Sequence, residues 1–403
     1  LSGYAGPSRT TWFEVLNIEG QGAFTLMLIF LFSINFSIFV CYLAFSLLTV
    51  QFIVSWIRGA RPPAPPPFFR FFLFFCLLTL VSTVFAIDPL NSLQDNRELL
   101  VFLLIPIFLF VINSRIRLLK SLQVILVSTL ISSLVGLFNA VSSGISLDHR
   151  LRGFTSHWMT YAGLLMCVFI FFFIWLFSEP AARTKLLIAL AILPVLAAIL
   201  SSQTRSVWVG LGSALLFFVI FCKRKLLFLL IPTAILIVVF LPQTVKNRMA
   251  SIVDPQNETN RDRIFMAYTG WEIFKARPLT GVGANNIERV YQDYKHPSAT
   301  IDNPHLHNNF IHILAERGIL AWAALVAAFI ALFVDLLGRI RHSLDLEKRI
   351  ATGSLFVFIG FIVAGLFEYN FGDSEMKFIL LYFVTLPFLA LKDDKDDPIQ
   401  APR

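Results

Sequence analysis

Long apolar stretches, broken at intervals by short polar segments, set the pattern of this chain. Twelve of them are candidate membrane crossings, at approximately 22–33, 36–57, 68–87, 98–113, 118–139, 157–178, 185–200, 206–222, 225–241, 317–338, 350–370 and 375–392. At about 1.5 Å of rise per residue, the longer of these runs reach across a hydrocarbon core of roughly 30 Å. They show neither a period of two nor a polar face, which excludes an outer-membrane barrel. The pattern predicts an all-α fold, a polytopic transmembrane helical bundle of about twelve spans. The first two runs are continuous, and the polar patch Ser33-Ile34-Asn35-Phe36-Ser37 is where the chain is expected to divide them.

The longest interruption, residues 242–316, is the one large hydrophilic loop. In its segment TNRDRIFMAYTGWEIFKARPLTGVG, Ile264, Ala267, Tyr268, Trp271 and Phe274 recur at helical spacing. An amphipathic helix is expected there, capped by Thr259 or Asn260 and ended by Pro278. The predicted organisation is N-terminal transmembrane helices over 1–241, a catalytic loop over 242–316, C-terminal transmembrane helices over 317–392 and a solvated tail over 393–403.

Composition agrees with the membrane reading. Apolar residues make up 57% of the 403 and charged residues 14%, against about 25% charged in soluble domains. The net charge of +8 does not point to nucleic acid, because basic residues beside membrane spans mostly set orientation. Alternate connections are basic (Arg58/Arg61/Arg70, Arg115/Arg117/Lys120, Arg183/Lys185, Lys223/Arg224/Lys225, Arg339/Arg341/Lys348/Arg349) and are expected in the cytoplasm. The loop 242–316 then faces the opposite side, in a bacterium the periplasm. The proline-rich stretch 61–67 reads as a stiff cytoplasmic linker. The four cysteines sit in or beside apolar runs without disulfide or zinc spacing, and no cleavable signal peptide is evident.

Four features on the non-cytoplasmic side carry candidate chemistry. Arg150 and Arg152 lie where positive charge is normally scarce; they pair either with carboxylates or lipid phosphates, or with a substrate. Arg205 stands at the mouth of a span among Ser201, Ser202, Gln203 and Thr204. A charge at that depth is costly unless it has a function or snorkels to the interface. Arg261 and Arg263 open the amphipathic helix, where they oppose its dipole, and a bound anion would resolve that conflict. The Gly281-Val282-Gly283 stretch that follows reads more readily as a surface turn than as a phosphate cradle. In NPHLHNNFIHILAERGILAW (303–322), His305, His307 and His312 raise the question of a metal site, but lack the i, i+4 pair of a helical zinc site. Glu316, four residues after His312, is expected to make a surface hydrogen bond. His307 and Asn308 begin a helix that leads into a span, which would hold a histidine near the membrane surface as a proton acceptor.

Together these patches resemble the O-antigen ligase family, membrane glycosyltransferases related to O-antigen polymerases and protein O-oligosaccharyltransferases. His307-Asn308 followed nine residues later by Gly318 matches the family's most specific motif, with Ala321 a departure at its last position. The Arg263 helix closing in Pro278-Leu279-Thr280-Gly281-Val282-Gly283, Thr204-Arg205-Ser206, and Arg152-Gly153-Phe154 resemble the other three patches. The resemblance implies transfer of a glycan from undecaprenyl diphosphate to lipid A–core oligosaccharide in the inner membrane, with no cofactor and no metal. It implies His307 as general base, kept neutral by nearby arginines, and Arg205, Arg263, Arg152, Arg261 and Asn308 as substrate-binding residues. Arginines suit a leaving diphosphate, and direct displacement would invert the anomeric centre. The alternatives are an O-antigen polymerase or a protein-acceptor transferase. A secondary transporter is disfavoured, because no internal repeat is evident and the candidate residues cluster on one side.

Overall fold

The computed structural model describes residues 18–143, 150–240, 243–299 and 305–392. Its regular elements are helices: α1 (Gln21–Ser33), α2 (Ile38–Ile57), α3 (Pro67–Val84), α4 (Pro89–Asp95), α5 (Leu104–Val111), α6 (Arg115–Ser143), α7 (Trp158–Leu176) and α8 (Ala182–Ser201) come first. They are followed by α9 (Arg205–Cys222), α10 (Leu227–Phe240), α11 (Gln243–Ala250), α12 (Glu258–Ala276), α13 (Ile287–Tyr294), α14 (Asn309–His342), α15 (Asp345–Ala364) and α16 (Ser374–Thr385).

Seven of these (α2, α3, α6, α7, α8, α9 and α14) are long and apolar enough to cross a membrane, among the described residues. The sequence led us to expect about twelve, and the shortfall has local causes. Helices α1 and α10 have 13 and 14 residues. The run at 98–113 is a 3-10 segment over Asn96–Leu103 followed by α5. Pro106 lies there; it has no N–H for the carbonyl of Phe102, and its ring crowds that turn. The run at 350–370 begins at the charged residue Asp345 and stops at Ala364, and the last run is α16 extended by a 3-10 turn to Phe388. The amphipathic helix α12 starts at Glu258 with Asn257 as its N-cap, two to three residues before the expected caps. The tail at 393–403 lies outside the described residues.

The division at 33–37 is found where it was expected. Asn35 is buried, and its Nδ2 donates to Ser128 Oγ (3.0 Å) and Thr129 Oγ1 (3.1 Å) of α6. Those two belong to a fully buried hydroxyl stripe that includes Ser121, Ser132 and Ser133. In apolar surroundings such bonds tie helices together, so α1 ends against α6 and the chain turns back as α2.

Outer helix faces are apolar and exposed at helical spacing, as in Phe39, Leu43, Leu47 and Val50 on α2 and Leu186, Leu190 and Leu193 on α8. A soluble surface would not leave them bare. Helix α7 forms the centre, with 83% of its apolar window buried and α8, α9, α15 and α16 packed around it. The basic connections meet at one end, where Arg349 pairs with Glu179 at 2.6 Å, Asp335 accepts from Phe68 N at 2.8 Å and Lys392 N donates to Asn113 O at 2.7 Å. The opposite end gathers α4, α11, α12, α13, the start of α14 and the α15–α16 connection.

Candidate active site

The site grows from the first turn of α14. Asn308 caps that helix, its Oδ1 accepting from Phe310 N (2.9 Å) and Ile311 N (3.0 Å), and its Nδ2 donates to Leu366 O at 2.9 Å. Asn309 continues the tie: its backbone N–H donates to Gly365 O (2.8 Å), its Nδ2 to Asn370 Oδ1 (2.6 Å), and its Oδ1 accepts from Phe371 N (3.0 Å). Phe371 is held in turn by Phe329, Phe361 and Phe75 in edge-on contacts. These bonds staple the α15–α16 connection over the helix start and bring Glu368 beside His307.

Glu368 Oε1 lies 2.9 Å from His307 Nδ1, and its Oε2 lies 3.9 Å from Arg263 Nη2. Burial pushes the Glu368 carboxyl up. The hydrogen bond and charge of His307, Arg263 and the Tyr369 N–H outweigh that and hold it below the ordinary carboxylate range. An ionised carboxylate only accepts, so Nδ1 carries the proton and Nε2 is the ring atom left to take one. His307 itself has φ +47°, a left-handed conformation rare outside glycine and common where surroundings fix a functional group. The sequence suggested that arginines keep this ring neutral. Beside it the structure sets a carboxylate, which orients the ring and offsets the charge it gains with a proton.

The glycine stretch after α12 is buried and docks onto a break in α14. Gly318 interrupts that helix with φ +70°. Val282 N and Gly283 N donate to Ala315 O (3.1 Å) and Glu316 O (2.7 Å), and Ile319 N donates to Pro278 O (2.9 Å). A β-carbon on Gly281 would lie 2.3 Å from Glu316 O. The stretch is therefore a packed joint rather than a surface turn, and it fixes the end of α12 relative to His307. Glu316 is likewise not at the surface. It is 4% exposed and pairs with the 2% exposed His312 at 3.2 Å, while Asn285 N donates to it at 2.7 Å.

Arg205, 4% exposed at the start of α9, donates to Ser251 O (2.8 Å), Ser251 Oγ (3.1 Å) and Asn257 Oδ1 (3.2 Å). Its Nη2 and the Nε of Arg263 are buried with no hydrogen-bond acceptor among the described residues. Arg248 on α11 joins them, donating to Gln203 O at 3.4 Å. Its guanidinium is lowered to about 10, by burial first and then by the charges of Arg205, Arg150 and Arg263. Arg150 stacks on Trp158 at 5.0 Å. Four guanidinium groups from four elements therefore crowd one place, with Glu368 as the carboxylate that reaches them through Arg263. Arg152 and Arg261 are exposed, and the Arg152 carbonyl closes a turn by accepting from Thr155.

His307 and Glu368 also line a cavity of about 620 Å³ with His157, His305, Tyr369 and Arg317. Burial, then His312 and His307, lower His305 from the ordinary imidazole value. Burial lowers His157 too, with His307 and Arg150 acting in the same direction and Glu368 against them. Among the described residues, no group of three or more His, Cys, Asp or Glu side chains is arranged to hold a metal ion.

The structure thus unites His307, Arg263 and Arg205, and adds three residues the sequence reading missed: Glu368, Arg248 and His157. Glu368 carried only a weak signal, a lone carboxylate at the end of an apolar run on the same side as the loop. Arg248 and His157 had no motif to mark them. Asn308, expected to bind substrate, is engaged as a cap and tie at the helix start beside His307.

Membrane-spanning helices below, a part-buried cluster of arginines above and a histidine–carboxylate pair beside a cavity describe a polytopic membrane enzyme with a polar site at one end of its bundle. Residues 188–326, which include Arg205, Arg248, Arg263, His307 and both docking glycines, match the family model described as O-antigen ligase. Over that segment, about a third of its length, the chain is similar to the O-antigen ligase family of membrane enzymes. Glu368 and Arg150 lie outside the matched segment. No curated protein matches the chain.

Proposed function

We propose that this enzyme transfers an O-antigen glycan from undecaprenyl diphosphate to a sugar of lipid A–core oligosaccharide at the periplasmic face of the bacterial inner membrane. The observation that carries the reading is the run from His307 through Glu368 to Arg263 and the other arginines. It sets a proton acceptor beside a part-buried cluster of positive charge in which Arg205 Nη2 and Arg263 Nε have no acceptor among the described residues.

In this reading the arginines take the diphosphate. Arg205 and Arg263 direct their unpartnered N–H groups at its oxygens, Arg248 adds charge, and Arg152 and Arg261 stand at the exposed rim. As the glycosidic C–O bond breaks, negative charge grows on the phosphate oxygen, and preorganised guanidinium groups stabilise it. The acceptor hydroxyl attacks the anomeric carbon, and its proton passes to His307 Nε2, with Glu368 balancing the imidazolium. Direct displacement inverts the anomeric centre. No metal is required in this scheme, because the arginines perform the neutralisation. The loop 242–316, extended by the start of α14 and the α15–α16 connection, is the catalytic region.

Twelve crossings fit the same scheme. The shorter helices α1, α10 and α16, helix α15 and the broken 98–111 segment then cross beside the seven long ones, supported by the gathering of basic connections at the end opposite the arginine cluster. The test is reconstitution of purified enzyme with lipid-linked donor and lipid A–core in excess chelator. The expected product is glycan-bearing lipid A–core. Chain extension of the donor, or glycosylation of a supplied pilin-like protein alone, would replace the ligase reading with the polymerase or protein-acceptor one. Activity that returns only with added divalent metal would overturn the metal-free scheme.

A further inference from the structure

The cavity beside His307 and the arginine cluster beyond Glu368 are opposite in charge. Seven carboxyl groups line the cavity against two permanent cations, Arg317 and Lys377, whereas none of the four clustered arginines lines it. Lys377 neutralises Glu98, and Arg317 lies 3.7 Å from both Asp95 and Glu316. Glu288, Asp373 and Glu375 form no ion pair among the described residues; burial raises Glu375 and pushes Asp373, which accepts from Thr160 Oγ1 at 2.7 Å, up to about 7. Among the described residues, two buried donors on the same wall also lack acceptors: Nε of Arg317, a residue only 8% exposed, and Nε1 of Trp158. The cavity therefore offers many acceptors, a few buried donors and aromatic edges, in a volume ordinary for a small-molecule site.

We propose that this cavity binds the outermost sugar of the acceptor, and that its carboxylates select a sugar bearing no phosphate or other negative charge at that position. The inference rests on the ligase reading above. In a direct displacement the attacking oxygen approaches from the side of the anomeric carbon opposite the leaving diphosphate. With the diphosphate on the arginines, the attacking hydroxyl must come from the other space that His307 touches, and that is the cavity. A neutral sugar suits it: hydroxyl groups donate to Glu288, Asp373 and Glu375, while ring and hydroxyl oxygens accept from Arg317 and Trp158. A phosphorylated sugar brings acceptors without donors, and its charge meets the unpaired carboxylates. The same repulsion keeps the donor's diphosphate out of the cavity, so the two substrates enter the correct halves of the site.

The experiment measures binding of two lipid A–core preparations to the full-length enzyme in nanodiscs without donor. They are identical except for a phosphate on the outermost hexose. The unphosphorylated form should bind at least about tenfold more tightly. In the Glu288→Gln/Glu375→Gln double variant that preference should shrink, with the KM for donor unchanged. Equal binding of the two forms by native enzyme, or a double variant that raises the donor KM and leaves acceptor binding unmoved, overturns the inference while leaving the ligase reading intact. If neither form binds and glycan passes instead to protein or to a growing polymer, the ligase reading itself fails and takes the inference with it. Should the double variant not fold, the comparison of the two acceptors on native enzyme decides alone.

Discussion

A β-carbon on Gly318 would lie 2.3 Å from the backbone carbonyl oxygen of Leu279. The two segments touch backbone to backbone, and no side chain can retreat to make room. Gly318 also holds φ +70°, where an alanine is strained by about 1–3 kcal/mol before any clash is counted. Gly318→Ala should therefore separate the α12 end from α14 and lower both folded yield and thermal stability in detergent. Gly281→Ala should behave alike, because its β-carbon would meet Glu316 O. As a contrast, Gly212→Ala has open space and should be tolerated. Equal thermal stability of Gly318→Ala and native enzyme would show that the joint is not built as described.

Glu368→Gln should cost activity far more than stability. The ties from Asn308 and Asn309 that position its loop do not involve its side chain, so the fold should persist. The amide cannot balance an imidazolium and can present its NH₂ to Nδ1, favouring the wrong tautomer. In hydrolytic triads the comparable change lowers kcat by about 10⁴, and a loss between about 10² and 10⁴ in kcat is expected here with donor KM little changed. Steady-state transfer kinetics at matched folded protein would check it. A loss smaller than about tenfold would reduce Glu368 to a structural partner of Arg263.

Much of this architecture could be read from the chain, and the exceptions follow a pattern. The division at Ser33–Ser37, the late hydrophilic loop, Arg205, Arg263 and His307 were all legible, because charge at a span mouth and a motif at fixed spacing are local signals. Glu368 was not, since it reaches His307 only through Asn309, Asn370 and Phe371, contacts between residues about sixty positions apart. Arg248 and His157 act through a cluster assembled from several connections, which no single segment reveals. The Gly281–Gly283 stretch was misread for the same reason: its partner is a break in α14 that hydropathy cannot show. The expected surface position of Glu316 failed because His312, one helical turn before it, is buried with it.

The arginine cluster should respond in a graded way. Arg263→Ala removes a donor that Glu368 already orients, and a loss of roughly 10²–10³ in kcat is expected, the usual cost of one charge-stabilising donor. Arg205→Ala should lose at least as much and also reduce folded yield, because Arg205 holds Ser251 and Asn257. Lysine at either position restores charge without the planar fork and should rescue only in part. Arg248→Ala should raise the donor KM, since its contribution is mainly charge. Arg152→Ala and Arg261→Ala, at exposed positions, should cost less than about tenfold. Near-normal transfer by both Arg205→Ala and Arg263→Ala would remove the diphosphate from this cluster.

The remaining prediction concerns His307 and its pH dependence. Glu368 is held below the ordinary carboxylate range, so its contribution is present above that range and is lost only as pH falls through its depressed value. An acidic limb of kcat near neutral pH must therefore come from another group: Asp373 on the cavity wall is pushed up to about 7 by burial, and His307 is the group positioned to accept the acceptor's proton. Protonation of its Nε2 as pH falls removes the base, so activity should decline on the acid side. His307→Gln should abolish most transfer and flatten that limb, while binding of the lipid-linked donor survives on the arginines. His305→Ala, at a ring that burial and its histidine neighbours lower from the ordinary imidazole value, should keep the limb and most of the rate. His312→Ala should differ again: it strips Glu316 of its buried partner, so stability falls while the pH profile of the folded fraction stays native. If His307→Gln retains substantial activity with an unchanged acidic limb, the proton goes elsewhere, and His157, on the same cavity wall, becomes the next residue to substitute.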